Sequence, residues 1–116
     1  MKKTVERSLC ALRRCALLIA VPFHAAMAEV PVVELVIRNH LFVPAEIQVP
    51  ANTKIKLLLI NEDATPEEFE SYELNREKIV LGNSRVVLFI GPLAPGEYPF
   101  FGEFNISTAQ GKLFAK

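Results

Sequence analysis

Apolar and polar residues alternate along much of this chain. Val33, Leu35 and Ile37 alternate with Glu34, Val36 and Arg38, a period of two with the odd positions more apolar, which predicts a strand. After a break at Asn39-His40-Leu41-Phe42-Val43-Pro44, Ile47 and Val49 share one face and Glu46 and Gln48 the other, predicting a short strand over Ala45–Val49. Pro50-Ala51-Asn52-Thr53 is a turn, with Asn52 tolerant of left-handed φ. Lys54–Asn61 begins by alternating and becomes continuously apolar, the pattern of a central strand covered on both faces. Lys78–Leu81 and Arg85–Ile90 predict two strands joined at Gly82-Asn83. Gly91-Pro92 and Ala94-Pro95-Gly96 mark the next turn, and strands over Glu97–Phe104 and Lys112–Phe114 close the chain. About seven short strands, roughly 8–12 residues apart with turn residues between, predict an all-β antiparallel sandwich or barrel. Leu41-Phe42-Val43 reads as core, and Phe100-Phe101 and Phe104 as core and edge packing.

One stretch interrupts the alternation. Glu62–Asn75 holds Glu62, Asp63, Glu67, Glu68, Glu70 and Glu73, six acids and no base. Like charges at this density repel unless they are solvated or share a cation. Phe69 and Tyr72 lie inside the run and need somewhere to bury. The stretch is therefore expected to be an acidic loop pinned to the body, with Glu67, Glu68 and Glu70 in fixed places, which is what an ion site requires.

The amino-terminal segment has a different character. Lys2, Lys3, Arg7, Arg13 and Arg14 precede an apolar run over Cys15–Phe23, and Ala26-Met27-Ala28 follows. These are the charged, apolar and small-residue parts of a secretory leader, with cleavage expected after Ala28. The apolar run is short of the ~20 residues that a membrane-spanning helix needs, and Pro22 breaks any helix there. The chain is thus expected to divide into residues 1–28, a leader exported by the general or the twin-arginine route, and residues 29–116, one exported domain that does not span the membrane.

Composition narrows the chemistry. From Glu29 onward there are 8 basic and 12 acidic residues, a formal charge of −4, which argues against nucleic acid. Both Cys and both Met precede residue 29, and His40 is the single imidazole beyond it. Disulfides, thiol catalysis and soft-metal thiolate sites are therefore excluded from the body, and an isolated imidazole in a loop is expected to be exposed or hydrogen-bonded. Ser71, Thr65 and Ser107 lack the His–acid company that activates a nucleophile. No phosphate-cradling glycine loop is present.

Two segments carry a family resemblance. Phe42 through Thr53, running into Leu57–Asn61, resembles the first half of a cupredoxin domain, and Gly96-Glu97-Tyr98-Pro99-Phe100 through Leu113 resembles the second. The resemblance implies a Greek-key β-sandwich of about seven to eight strands. Copper-binding members read roughly G-x-Y-x-F-x-C-x-x-H-x-x-x-M-x-G in the second half. On this chain the Cys position falls on Gly102, the His on Asn105 and the Met on Ala109, while the region of the first His holds Glu67 and Glu68. A blue-copper centre needs a thiolate and two imidazoles, so type 1 copper is not expected.

A narrower resemblance rests on Asp63 through Ser71, Arg76-Glu77-Lys78, Phe89 through Leu93, Pro95-Gly96, Gly102-Glu103-Phe104 and Thr108 through Gly111. These blocks resemble the small periplasmic cupredoxin-like proteins of bacterial iron-permease uptake systems, similar to the EfeO N-terminal domain. Asn105 stands where that subgroup is expected to carry a His. The resemblance picks out Glu67, Glu68, Glu103 and Asn105 as metal ligands and implies that the loop after the central strand meets the loop before the last one. Carboxylates and an amide oxygen make a hard site, suited to iron(II) or another divalent cation. The expected function is a non-enzymatic accessory of iron uptake that binds or hands over metal beside a membrane permease. Two alternatives remain: ferroxidase-type oxidation of iron(II), with copper recruited through His40 and a partner, and an interaction module without metal chemistry.

Overall fold

The structure is a computed structural model that describes residues 16–22 and 29–116. Most of the expected leader, including its cleavage point, lies outside the described residues. Among the described residues nine strands form: β1 (Val32–Arg38), β2 (Leu41–Val43), β3 (Glu46–Val49), β4 (Ile55–Asn61), β5 (Glu67–Ser71), β6 (Arg76–Val80), β7 (Ser84–Ile90), β8 (Gly96–Gly102) and β9 (Gln110–Ala115), with one 3-10 turn at Glu103–Asn105. They make a sandwich of a four-stranded sheet, β2-β1-β4-β7, and a five-stranded sheet, β3-β9-β8-β5-β6. The chain crosses between sheets after β2, β3, β4, β6 and β7.

The seven expected strands are all present, and two more join them. The three-residue β2 pairs with β1 across a tight turn, Arg38 opposite Leu41. Asn39 and His40 in that turn both have positive φ, 53° and 59°, as a two-residue hairpin demands. The acidic stretch expected to be a loop instead forms β5, paired with both β6 and β8. The pairing is also mixed rather than antiparallel throughout, because β1 lies parallel to β4 and β3 parallel to β9.

The core lies between the sheets. Leu35, Ile37, Leu57, Leu59 and Ile90 from one sheet meet Phe69, Phe100, Leu113, Ile47 and Val49 from the other, all buried. Phe42 stands edge-on to Phe69 and Phe100, with ring centroids 6.0 and 5.1 Å away, a favoured aromatic geometry. Each such buried side chain contributes roughly 1.5–3 kcal/mol. Leu41 and Val43, expected in the core, are exposed because β2 turns only Phe42 inward. β4 is buried on alternate residues, since the outer face of its sheet is uncovered and leaves Leu58 and Ile60 half-buried. Phe104 is likewise half-exposed, and Tyr72 is exposed with its ring tilted against Phe101 at 5.5 Å.

Two polar side chains fix the loop that leads into β5. Asn61, buried at the end of β4, donates to the carbonyls of Thr65 and Val80, and its Oδ1 accepts the Asp63 N–H. Asp63 accepts the N–H groups of Asn39 and His40 at 2.8 and 3.0 Å. The His40 ring is exposed, with Nδ1 3.7 Å from Asp63 Oδ2.

Candidate metal centre

Strand alternation divides the carboxylates of β5 between two sides of the five-stranded sheet. Glu67 and Ser71 point inward with Phe69, and Glu68 and Glu70 point outward. Glu67 is 1% exposed, a burial that an anion tolerates only with hydrogen-bond donors. Its Oε1 accepts the N–H groups of Glu68 and Phe104, each at 3.0 Å, and its Oε2 accepts the Asn105 amide at 2.7 Å. Gly102 packs so tightly here that a Cβ on it would lie 2.7 Å from Glu67 Cδ and 2.6 Å from Ala109 Cβ. The positions that the copper-binding pattern gives to its Cys, His and Met, here Gly102, Asn105 and Ala109, therefore lie close together beside the Glu67 carboxylate.

The outward residues form a second group. The β5–β6 register sets Glu70 opposite Glu77 and Glu68 opposite Ile79, so Glu68 is diagonal to Glu77 on the same face. Glu68, Glu70 and Glu77 each offer an oxygen, and these oxygens lie within 4.8 Å of one another. Glu103, at the start of the 3-10 turn, is near enough to Glu70 to raise its carboxyl. The ion pairs among the described residues are Arg38–Glu62, His40–Asp63 and Lys112–Glu97, so none neutralises this group.

Crowded carboxylates resist ionisation. The Glu68 carboxyl is pushed up to about 7, first by the hydrogen-bonding carboxyl of Glu77, then by burial, then by the charges of Glu77, Glu70 and Glu103. Glu70 is also raised, first by burial and then by Glu103 and Glu77. An open groove of about 620 Å³ adjoins the cluster, with Tyr72, Phe101, Ile106 and Gln110 in its walls and Glu103 shared between the two.

The expected ligands thus separate into pairs. Glu67 and Asn105 bond to each other inside the sandwich, while Glu68 and Glu103 stand on its outer face. Glu70 and Glu77 join that outer group, and the resemblance named neither as a ligand. Glu70 was legible from the acidic run, which set it in place with Glu67 and Glu68. Glu77 was not, because only the β5–β6 register brings it opposite.

Comparison with known proteins places this geometry. The cupredoxin-like domain pattern matches residues 11–115. An uncharacterised protein of Rickettsia prowazekii (strain Madrid E) is 48% identical over 79 residues, which is 68% of this chain and 63% of that protein's length. The chain thus spans under two thirds of that relative. Auracyanin A, a blue copper protein of Chloroflexus aurantiacus, superposes with a TM-score of 0.66 at 14% identity, over 76% of this chain and 100% of that one. The metal-binding domain of the Cu(I)-exporting P-type ATPase of Streptococcus pneumoniae D39 superposes with a TM-score of 0.62 at 13% identity, over 78% and 98% of the two chains. At such identities these likenesses concern the fold alone. The family pattern covers nearly the whole length, and the chain belongs to the cupredoxin-like domain family.

Proposed function

We propose that this protein is a non-enzymatic periplasmic accessory of iron uptake, which holds a divalent cation through carboxylates on the outer side of its five-stranded sheet and passes it to a membrane permease. The observation that carries the reading is the outer cluster: Glu68, Glu70 and Glu77 with oxygens within 4.8 Å of one another, Glu103 beside them, and no ion pair to any of them among the described residues. Three carboxylates supply part of an oxygen shell, and water completes six-coordination around a hard cation. The open side of the cluster and the adjoining groove leave room for a receiving protein.

The residues do not fit the family's thiolate copper centre. Gly102, Asn105 and Ala109 provide no thiolate, imidazole or thioether, and the Glu67 carboxylate occupies the space between them. A hard cation on the outer face suits the donors that are present.

Calorimetric titration of the purified protein with manganese(II), and anaerobically with iron(II), tests the reading. Binding is expected near neutral pH and is expected to weaken as pH falls, because protons and cation compete for the same oxygens. A Glu68→Gln/Glu77→Gln variant is expected to bind at least about tenfold more weakly. If neither ion binds, or if the double variant binds as well as the parent, the chelation reading fails. Oxygen consumption above the buffer rate on adding iron(II) would replace it with an oxidase.

A further inference from the structure

We infer that Glu67 and Asn105 act as a buried positioning pair, clamping the two backbone segments that present Glu68 and Glu103 to the outer carboxylate cluster. This inference rests on the cation reading above and assigns the pair a role in that site without contact to the ion.

The connectivity carries it. One oxygen, Glu67 Oε1, accepts the N–H of Glu68 and the N–H of Phe104, each at 3.0 Å. The first belongs to the peptide joining Glu67 to Glu68, and the second to the peptide joining Glu103 to Phe104. A single atom therefore ties together the peptide units flanking Glu68 and Glu103, although the two are far apart in sequence. The other oxygen, held by the Asn105 amide at 2.7 Å, stops the carboxylate from rotating. Glu67 is nine-tenths buried and more, and it packs so closely on Gly102 that even a Cβ there would lie 2.7 Å from its Cδ. A buried anion with three donors is a fixed point. Second-layer groups of this kind set the orientation of the ligands outside them.

The pair acts through shape rather than charge, and glutamine separates these. In Glu67→Gln the side-chain carbonyl keeps both N–H bonds, and its amide donates to the Asn105 oxygen once that amide turns over. Glu67→Ala removes charge and shape together, and Asn105→Ala frees one arm while keeping the charge. The test measures three things on the purified protein: the manganese(II) dissociation constant, the nuclear Overhauser contact between the Glu70 and Glu103 side chains, and hydrogen exchange at the Phe104 amide. Glu67→Gln is expected to stay within about threefold of the parent in affinity and to keep the contact. Glu67→Ala and Asn105→Ala are expected to lose about tenfold or more in affinity, to lose the contact, and to exchange Phe104 at least tenfold faster. If Glu67→Ala does not fold, Asn105→Ala carries the comparison. The inference is overturned if Glu67→Gln loses as much affinity as Asn105→Ala, or if folded Asn105→Ala keeps the Glu70–Glu103 contact. Should the parent bind no manganese(II), the cation reading falls, and the contact and the exchange rate still decide whether the pair positions Glu103.

Discussion

Replacing Asp63 with alanine is expected to destabilise the sandwich by about 2 kcal/mol at neutral pH. Asn39 and His40 sit in the left-handed region, which costs residues other than glycine roughly 1–2 kcal/mol each, less for Asn. The Asp63 carboxylate offsets that cost by accepting both of their N–H groups, at 2.8 and 3.0 Å. Hydrogen bonds to a charged acceptor contribute about 1.5–3 kcal/mol each when buried. The Asp63 side chain is 16% exposed, so water recovers part of the loss, and the net falls to about 2 kcal/mol. For a domain of this size each kcal/mol moves the melting temperature by about 4–8 °C, so a drop of about 8–16 °C is expected. The His40 N–H and then the Asn39 N–H hold the Asp63 carboxyl below its ordinary range. A depressed carboxyl stabilises the fold above its unfolded-state value, and that contribution disappears as pH falls through the folded-state value. The gap between parent and Asp63→Ala should therefore narrow in acid. Thermal melts followed by circular dichroism at pH 7 and in strong acid provide the assay. A shift under about 3 °C at neutral pH, or a gap that does not narrow in acid, would refute the reasoning.

Two further expectations follow from the site. Gly102→Ala should cost about 1–3 kcal/mol by overpacking alone, because Gly102 has φ −97°, open to any residue, while the new Cβ meets Glu67 and Ala109 below 3 Å; urea unfolding measures it. The raised Glu68 carboxyl makes the native state hold a proton that the unfolded chain releases, so stability should decline as pH rises from the ordinary carboxylate range to about 7. Glu77→Gln should flatten that decline, read as the difference in urea midpoint between pH 5 and pH 8.

Most of the fold was legible wherever alternation came from apolar residues, as in Leu35–Ile37, Ile47–Val49 and Leu57–Leu59. β5 was hidden because its inward positions are Glu67, Phe69 and Ser71, and only Phe69 looks like core. The polar two are inside because each finds partners there: Glu67 its three donors, and Ser71 the Pro99 carbonyl and the Leu74 N–H. Such partners come from the tertiary arrangement and leave no local trace. β2 was hidden by its length. The meeting of Glu67 with Asn105 followed from the resemblance, but the opposite directions of Glu67 and Glu68 follow only once the stretch is known to be a strand. The pairing of Glu70 with Glu77 needed the register as well.

The parallel pairing of β3 with β9 governs how the molecule assembles. β9 hydrogen-bonds to β8 on one side and to β3 on the other, Ile47 opposite Leu113. The five-stranded sheet cannot close until that late segment is available, and a topology dominated by such distant pairings folds slowly, in milliseconds to seconds. Until β9 is in place, β3 has no neighbour in its own sheet and nothing joins it to β8.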